Sequence, residues 1–213
     1  MKNFLKRMCV GMGAIGAVSI LLTGCGKQPF EMLHDSLEKT VQLEKPFQKE
    51  QKALKRLEKK EHKLYDSALK LNIDDYQKVV SIANQALSNA KQRKKHLEAE
   101  KDSIMDSKKE FESAKKSAEA IKDKKVKILA NRVIVLMEKR YASYDSMYHN
   151  YKKAILYEKD LYNQIKDKKT TFVQLAEQID KVNSVYEKVY KQTEEFNTST
   201  DDYNKEKERL FCR

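Results

Sequence analysis

Beyond residue 26 the sequence has no glycine, and its two prolines are Pro29 and Pro46. Glycine supplies the positive φ values that tight hairpin turns, phosphate-binding loops and nucleophile elbows need. The loops on which most familiar enzymes build their active sites are therefore disfavoured. The sequence also lacks tryptophan, and 36% of its residues are charged. This composition is typical of long helices rich in Ala, Glu, Lys, Leu and Arg.

The longest uncharged run is confined to the N-terminus. Lys2, Lys6 and Arg7 precede an apolar stretch over residues 8–22, which is too short for a comfortable membrane span and is typical of an export signal. The stretch ends in Leu22-Thr23-Gly24-Cys25, which resembles the lipobox of bacterial lipoproteins. That resemblance implies a signal peptide over residues 1–24 and diacylation of the thiol of Cys25, followed by a short tether over residues 25–28. Two acyl chains hold a protein stably on a membrane.

Cysteine is scarce elsewhere. Cys9 would leave with the signal peptide and Cys25 would carry the lipid, so Cys212 is the one free thiol and no internal disulfide is possible. Because it lies beside the C-terminus, we expect Cys212 to be exposed. An intermolecular disulfide there is the alternative.

The charge is unbalanced towards the basic side. Without residues 1–24 the chain holds 41 Lys and Arg against 32 Asp and Glu, a formal net charge of +9. A basic exported protein suits lipid headgroups, teichoic-acid phosphates or peptide-stem carboxylates and argues against a nucleic-acid partner. The alternative is that the mixed charges only keep the helix faces solvated.

Hydrophobic spacing predicts four long helices, at about 29–71, 75–121, 126–166 and from 172 to the C-terminus. Pro46 should kink or split the first helix, since its ring and missing amide break the preceding turn. A turn is expected at residues 72–75. Residues 122–125 form the next bend but contain no strong breaker, so partial continuity of the second and third helices stays open.

The fourth helix has the clearest heptad pattern. It opens with a capping box at Thr171 and Gln174, and nine of the twelve positions that follow a period of 3.5 residues from Phe172 to Leu210 are apolar.

In the second helix the seam of apolar residues is thin. Lys94, Lys101 and Lys108 are expected to interrupt it, with their aliphatic stems lying along a partner helix.

We therefore predict an all-α fold, an elongated antiparallel up-and-down bundle of four long helices with left-handed packing. A three-helix coiled coil is the alternative. Residues 29–213 are expected to form a single domain of rods about 60 Å long.

The lipobox, together with a glycine-free helical chain rich in Lys and Glu, resembles the YkyA-type family of cell-wall-binding lipoproteins of Gram-positive bacteria. The resemblance implies a helical bundle on the outer leaflet of the cell membrane, facing the cell wall. It implies lipidation of Cys25 and supplies no catalytic residues.

Tyrosines give the strongest indication of a ligand, because six of eleven lie between positions 141 and 162. At about 100° per residue, Tyr144 and Tyr151 share the direction of the apolar face, which predicts core packing. Tyr141 and Tyr148 fall on its flank, where a phenol can meet a sugar or a partner helix. The binding stripe that we hypothesise consists of Tyr141, Tyr148, Arg140, Lys152 and Lys153. Packing at the edge of the core is the alternative, and it is the commoner role of aromatic residues.

Metal and catalytic sites are poorly supported. Glu31 and His34 form one Glu-x-x-His pair, but no second pair precedes His62, His96 or His149, so a di-metal bundle lacks ligands. Carboxylate or Ser/His chemistry would need a cleft that a thin bundle does not offer. We predict no metal, no cofactor and no enzymatic activity.

The sequence thus predicts a non-enzymatic, lipid-anchored extracytoplasmic protein that binds the cell wall, through peptidoglycan or teichoic acid, or another envelope component. The alternative function is a protein-interaction scaffold or accessory subunit of an envelope complex.

Overall fold

The computed structural model describes residues 27–68, 70–71 and 75–212. The predictions of a signal peptide and of a lipid on Cys25 concern residues outside these ranges, as does most of the predicted turn at residues 72–75. Among the described residues all regular secondary structure is helical. None of the described helices combines the length and the apolar character that a membrane crossing requires.

Five helices follow one another along the chain. They are α1 (Pro29–Leu43), α2 (Lys45–Ala68), α3 (Tyr76–Glu119), α4 (Lys124–Lys166) and α5 (Phe172–Phe211). Pro29 opens α1 within its first turn, and the hydroxyl of Thr171 caps α5 by accepting from the backbone amide of Gln174, as the sequence predicts.

The helices build four antiparallel rods, of which α1 and α2 together form the first. Lys39 of α1 pairs with Glu110 of α3, and Gln51 of α2 donates to Glu100, so α3 runs back along both. The later rods alternate in the same way. Ser107 and Lys101 of α3 contact Tyr141 and Asp145 of α4, and Arg140 and Asn150 of α4 contact Thr200 and Gln192 of α5. The predicted all-α up-and-down bundle is confirmed in its four-rod form.

The split that Pro46 predicts lies at Glu44. Ser103 of α3 is inserted into the break, because its hydroxyl donates to the carbonyl of Leu43 at 2.7 Å and accepts from the amide of Phe47 at 3.3 Å. An uninterrupted helix would join those two backbone groups directly. The side chain thus replaces the hydrogen bond that the break removes, which is a recognised cause of helix kinks.

Helices α3 and α4 are separate. The carboxylate of Asp123 accepts from the amides of Lys125 and Val126, both at 2.9 Å, and so caps α4. This Asp cap starts a new helix without glycine or proline. The open alternative of a continuous helix is therefore wrong.

The main core runs along the bundle, from Leu33 and Leu210 near one end to Leu161 and Val182 towards the other. Buried positions of α3 repeat every seven residues in two series. One series is Ala83, Ala90, Leu97, Ile104, Phe111 and Ala118, and the other is Ala86, Arg93, Glu100, Ser107 and Ala114. The second series lies one residue before the expected Lys94, Lys101 and Lys108. Those lysines lie beside the seam rather than in it, so their predicted position is wrong, but Lys101 and Lys108 do reach along the partner helix α4, where both contact Asp145.

The bundle has two distinct ends. At the N-terminal end the ring of Phe30 lies 5.1 Å from that of Phe211, and the α3–α4 connection reaches the same level. At the far end the hydroxyl of Tyr76 donates to the carbonyl of Lys166 at 2.6 Å. The 44 residues of α3 separate the two ends by about 66 Å. Phe172, which the heptads place in the seam, is 90% exposed at the far end, because the first turn of α5 extends past its neighbours.

Candidate binding surface on α4

Tyr141 lies in the core, so the expectation that it flanks the buried face is wrong. Its side chain is 2% exposed, its hydroxyl shares a 2.7 Å hydrogen bond with Ser107, and its ring packs edge-on to Phe111 at 5.6 Å. Burial, with the nearby Glu44 carboxylate, raises the pKa of the phenol. Helix α3 covers the flank of α4 on which the helical spacing placed Tyr141. No surface ligand can therefore reach this tyrosine.

Arg140 is also buried, and the expectation that it lines a binding stripe is wrong. Its guanidinium donates to both carboxylate oxygens of Glu44, at 2.7 and 2.6 Å, and its Nε donates to Thr200 at 3.0 Å. The group lies 4.7 Å from the ring of Phe196. The bidentate pair connects α4 to the α1–α2 break. A signal for this position was present, because Arg140 is seven residues after Val133 and seven before Met147, both in the core.

Tyr144 and Tyr151 pack in the core as predicted. The hydroxyl of Tyr151 donates to the carboxylate of Glu58 on α2, and the ring of Tyr144 packs against Phe47 at 5.9 Å. Both side chains fix the separation of α4 from the first rod.

The three other residues of the hypothesised stripe lie at the surface. Tyr148 is half-buried, and its ring is contacted by two ammonium groups, Lys152 at 5.9 Å and Lys101 of α3 at 5.2 Å. Lys153 is exposed and lies 5.4 Å from the ring of Tyr157. The structure therefore offers two tyrosine–lysine pairs on one helix, and the second pair contains Tyr157 rather than the predicted Tyr141.

These pairs border one continuous surface, which we call the outer face of α4. It consists of Tyr148, His149, Lys152, Lys153, Leu156 and Tyr157. At about 100° per residue these side chains cover roughly half of the helix circumference, with Tyr148 at the α3 edge and Tyr157 at the α5 edge. Leu156 lies in the middle and is 49% exposed.

An ion-pair network holds the α3 edge of this face. Asp145 binds Lys101 directly and accepts from Lys108 at 3.3 Å. Burial opposes ionisation of the Asp145 carboxyl, but its hydrogen bond to Lys101 and the positive charges nearby lower its pKa below the usual value. Because Lys101 is held by Asp145, it stays beside the ring of Tyr148 and orients it.

The chemistry of the outer face suits a flat or extended polymer. Tyrosine rings with neighbouring ammonium groups offer apolar contact, hydroxyl hydrogen bonds and positive charge together. The surface is convex, so it can contact an extended chain but cannot enclose a small molecule. Across the described ranges, no group of three or more His, Cys, Asp or Glu side chains is placed to hold a metal ion.

Sequence reasoning missed a charged cluster in the core between α2, α3, α4 and α5. Arg93 binds the carboxylate of Glu158 and donates to the hydroxyl of Tyr186 at 2.8 Å, which in turn donates to Glu158 at 2.7 Å. Tyr162 donates to Glu61 at 2.7 Å. Burial, with the charge of Glu158, raises the pKa of Glu61 to about 7. These groups are sealed from solvent, and they fix the register of the rods rather than bind a ligand at the surface.

Comparison with known proteins gives three matches. The model of the YkyA family, described as "Putative cell-wall binding lipoprotein", matches residues 28–211. "Uncharacterized lipoprotein YkyA" of Bacillus subtilis (strain 168) is 51% identical over 213 residues, which cover 99% of this chain and 96% of that protein. A crystal structure of a conserved protein of unknown function from Staphylococcus aureus superimposes with a TM-score of 0.74 at 20% identity, over 85% of this chain and 91% of that one. The last likeness shows a shared fold.

Proposed function

Since this chain belongs to the YkyA family of lipoproteins, we propose that it is a lipid-anchored, non-enzymatic protein that binds the cell wall through the outer face of α4. Membership of the family implies a membrane-anchored location at the cell surface. More specifically, the proposal is that the bundle lies on the outer leaflet of the cell membrane and that the polymer it binds is peptidoglycan or teichoic acid.

The lipidation proposal rests on Cys25. Removal of residues 1–24 as a signal peptide would leave this cysteine as the N-terminus, four residues before the start of α1. Radiolabelled palmitate should enter the wild-type protein in cells and not the Cys25→Ser variant. A protein without label, recovered among cytoplasmic enzymes, would overturn this part of the proposal.

The observation that best supports wall binding is the pairing of exposed lysines with tyrosine rings on the outer face of α4. Lys152 and Lys153 are exposed, and each lies within 6 Å of a tyrosine ring, so positive charge and aromatic surface are offered together. The face starts about 24 residues beyond the first residue of α4, which is about 36 Å from the N-terminal end of the bundle. An anchor at Cys25 would therefore hold it well above the membrane surface.

The test is sedimentation with purified cell wall. A chain of residues 25–213 carrying Cys25→Ser should sediment with the wall at low salt and less at high salt, because exposed charges are screened. Combining Tyr148→Ala, Lys152→Gln and Lys153→Gln should weaken wall binding at least about tenfold, since stacking and charge contacts each contribute on the order of 1 kcal/mol. The melting temperature should fall by a few degrees, because Tyr148 is half-buried against the core, and circular dichroism should show unchanged helicity at the assay temperature.

Two control variants separate binding from folding and from net charge. Lys59→Gln with Lys60→Gln removes two exposed charges on α2 and should leave sedimentation close to wild type. Tyr141→Phe should lower stability through its lost bond to Ser107 and leave binding unchanged. Equal sedimentation of wild type and the triple variant would refute the proposed surface.

A protein partner is the second candidate, and an exposed apolar pair favours it. Phe172 and Val173 are 90% and 67% exposed at the far end of the bundle. If the chain does not sediment with wall, and a photocrosslinker at Val173 captures an envelope protein in cells, the scaffold function replaces wall binding.

A further inference from the structure

The N-terminal end of the bundle carries a cluster of exposed lysines that the wall-binding proposal does not use. We call it the basic end cluster. It consists of Lys116 in the last turn of α3 and Lys122, Lys124 and Lys125 in the α3–α4 connection and the first turn of α4, with Ile128 one turn further. All four lysines are exposed, and none of them forms a salt bridge with any described residue.

This cluster lies level with the start of α1. Lys39 of α1 pairs with Glu110 of α3, and the two helices run in opposite directions. Moving ten residues along each helix from this pair reaches Pro29 on one and Ala120 on the other, at the same height. From Pro29 back to Cys25 there are four residues, which span at most about 14 Å when extended.

Several of the negative charges near the cluster already have partners. Asp123 caps α4 through the amides of Lys125 and Val126. Asp35 is paired with Lys27. Glu206 is paired with Arg209 at 3.1 Å. Glu119 and Glu31 have no salt bridge among the described residues, and Asp123 keeps its charge, so the four exposed ammonium groups outnumber these three carboxylates at this end.

An apolar side chain accompanies the charges. Ile128 is 56% exposed and lies one helical turn after Lys124, on the same side of α4. Lysines that surround an exposed aliphatic side chain are typical of surfaces that rest in the headgroup region of a bilayer.

We propose that the basic end cluster binds the headgroups of anionic lipids, so that the bundle meets the membrane end-on. The inference rests on the proposed lipidation of Cys25, because the anchor brings this end to the bilayer. The cluster is then a second attachment to the membrane. Each of its lysines strengthens binding to an anionic surface about fivefold. It holds the far end away from the membrane.

The first test uses the lipidated full-length protein in vesicles of phosphatidylcholine, with or without phosphatidylglycerol. A membrane-impermeant amine reagent labels exposed lysines, and mass spectrometry measures each site. Phosphatidylglycerol should protect the four lysines of the cluster at low salt and not at high salt. Lys59, Lys60, Lys70 and Lys169 should label equally in both vesicles. Equal labelling of the cluster in both vesicles, or equal protection of both sets, would overturn the proposal.

The second test needs no acyl chain. The chain of residues 25–213 with Cys25→Ser should sediment with phosphatidylglycerol vesicles. Changing Lys116, Lys122, Lys124 and Lys125 to Gln should weaken this binding at least about tenfold. The matched variant with Gln at positions 59, 60, 70 and 169 should bind like the parent chain, and circular dichroism should show equal helicity in all three. Equal vesicle binding by the two variants would overturn the proposal.

The same variants separate this inference from wall binding. The cluster variant should sediment with purified wall like the parent, whereas the triple variant of the outer face should lose wall binding and keep vesicle binding. A cluster variant that loses wall binding and keeps vesicle binding would assign these lysines to the wall polymer instead.

Discussion

Glu100 shows how a single buried residue couples this fold to pH. It occupies a core position of α3, where one carboxyl oxygen accepts from Gln51 at 2.7 Å. Burial, reinforced by the charges of Glu58 and Glu50, raises the pKa of the Glu100 carboxyl to about 8, although the nearby Tyr144 hydroxyl and the hydrogen bond from Gln51 oppose the shift. The folded chain therefore keeps this group protonated at neutral pH, while the unfolded chain ionises it near its ordinary value of about 4.3.

The sign of the resulting pH dependence is fixed by linkage. Between about pH 4.5 and 8 the folded state binds more protons at Glu100 than the unfolded state, so the free energy of unfolding falls as pH rises. Glu61, with its pKa raised to about 7, acts in the same direction. We expect the melting temperature to fall from pH 5 to pH 8. Glu100→Gln should flatten this fall, with a relative gain in stability on the order of 2 to 4 kcal/mol at pH 8.

Thermal unfolding at several pH values checks this expectation, and Glu98→Gln is the matched control because Glu98 is exposed two residues away on the same helix. If wild type and Glu100→Gln show parallel pH profiles, the carboxyl is already ionised in the folded state and the expectation fails.

The residues of the hypothesised stripe show where sequence reasoning stops. Tyr144 and Tyr151 lie in the core as predicted, while ligand binding by the tyrosine cluster stays a prediction. The prediction that Tyr141 lies at the edge of the core failed because a helix has no fixed boundary between its buried face and its flank. Helix α3 covers this side of α4. Only the packing of the neighbouring helix decides which of two residues with similar angles is buried.

At the scale of the helix, the sequence predicted the rods well and their seams less well. Proline, capping residues and apolar spacing gave the rods with boundaries correct to a few residues. The apolar seam of α3 was predicted correctly, but the lysines expected to interrupt it were misplaced by one position, because Arg93 and Glu100 are polar and were not recognised as core residues. Their partners, Glu158 and Gln51, are 65 and 49 residues away in sequence, and such pairings are not readable from local pattern.

The break between α1 and α2 depends on one hydroxyl. Ser103→Ala would leave the carbonyl of Leu43 and the amide of Phe47 without their hydrogen-bond partner in a buried environment. A cost of about 1 to 3 kcal/mol in the free energy of unfolding is expected. Urea unfolding followed by circular dichroism measures it. Ser113→Ala, at an exposed position of the same helix, should change stability by less than about 0.5 kcal/mol. Equal effects of the two substitutions would show that solvent satisfies the break.

At the scale of the whole molecule, the feature that matters for function is the separation of the two ends. The sequence predicted an elongated bundle, and the four rods confirm it. The composition could not assign lysines to one end or the other, since this follows from the antiparallel order of the rods. That order brings Lys122 and Lys125 beside the start of α1, although they are nearly one hundred residues apart from it in sequence.

The separation is directly measurable. Cys212 is exposed at one end of α5, and Lys169 precedes the other end by three residues. Spin labels on Cys212 and on Lys169→Cys, in the Cys25→Ser chain, should give a distance of about 60 Å by pulsed electron paramagnetic resonance. Labels on Cys212 and Glu31→Cys should lie within about 20 Å, because Phe30 contacts Phe211. A long distance for the second pair, or a short one for the first, would contradict the arrangement of the rods.

The buried polar residues of α3 also limit how the molecule can change its length. Deleting one residue between Arg93 and Ser107 would turn the rest of α3 by about 100°, and the salt bridge to Glu158 and the hydrogen bond to Tyr141 could not both survive. Removing seven residues at the same level from all four rods would keep both contacts in phase, together with those that α3 and α4 make to α2 and α5. Insertions and deletions in this bundle should therefore be tolerated only in multiples of seven residues that are matched between the rods. The length of the molecule can then change only in steps of about 10 Å.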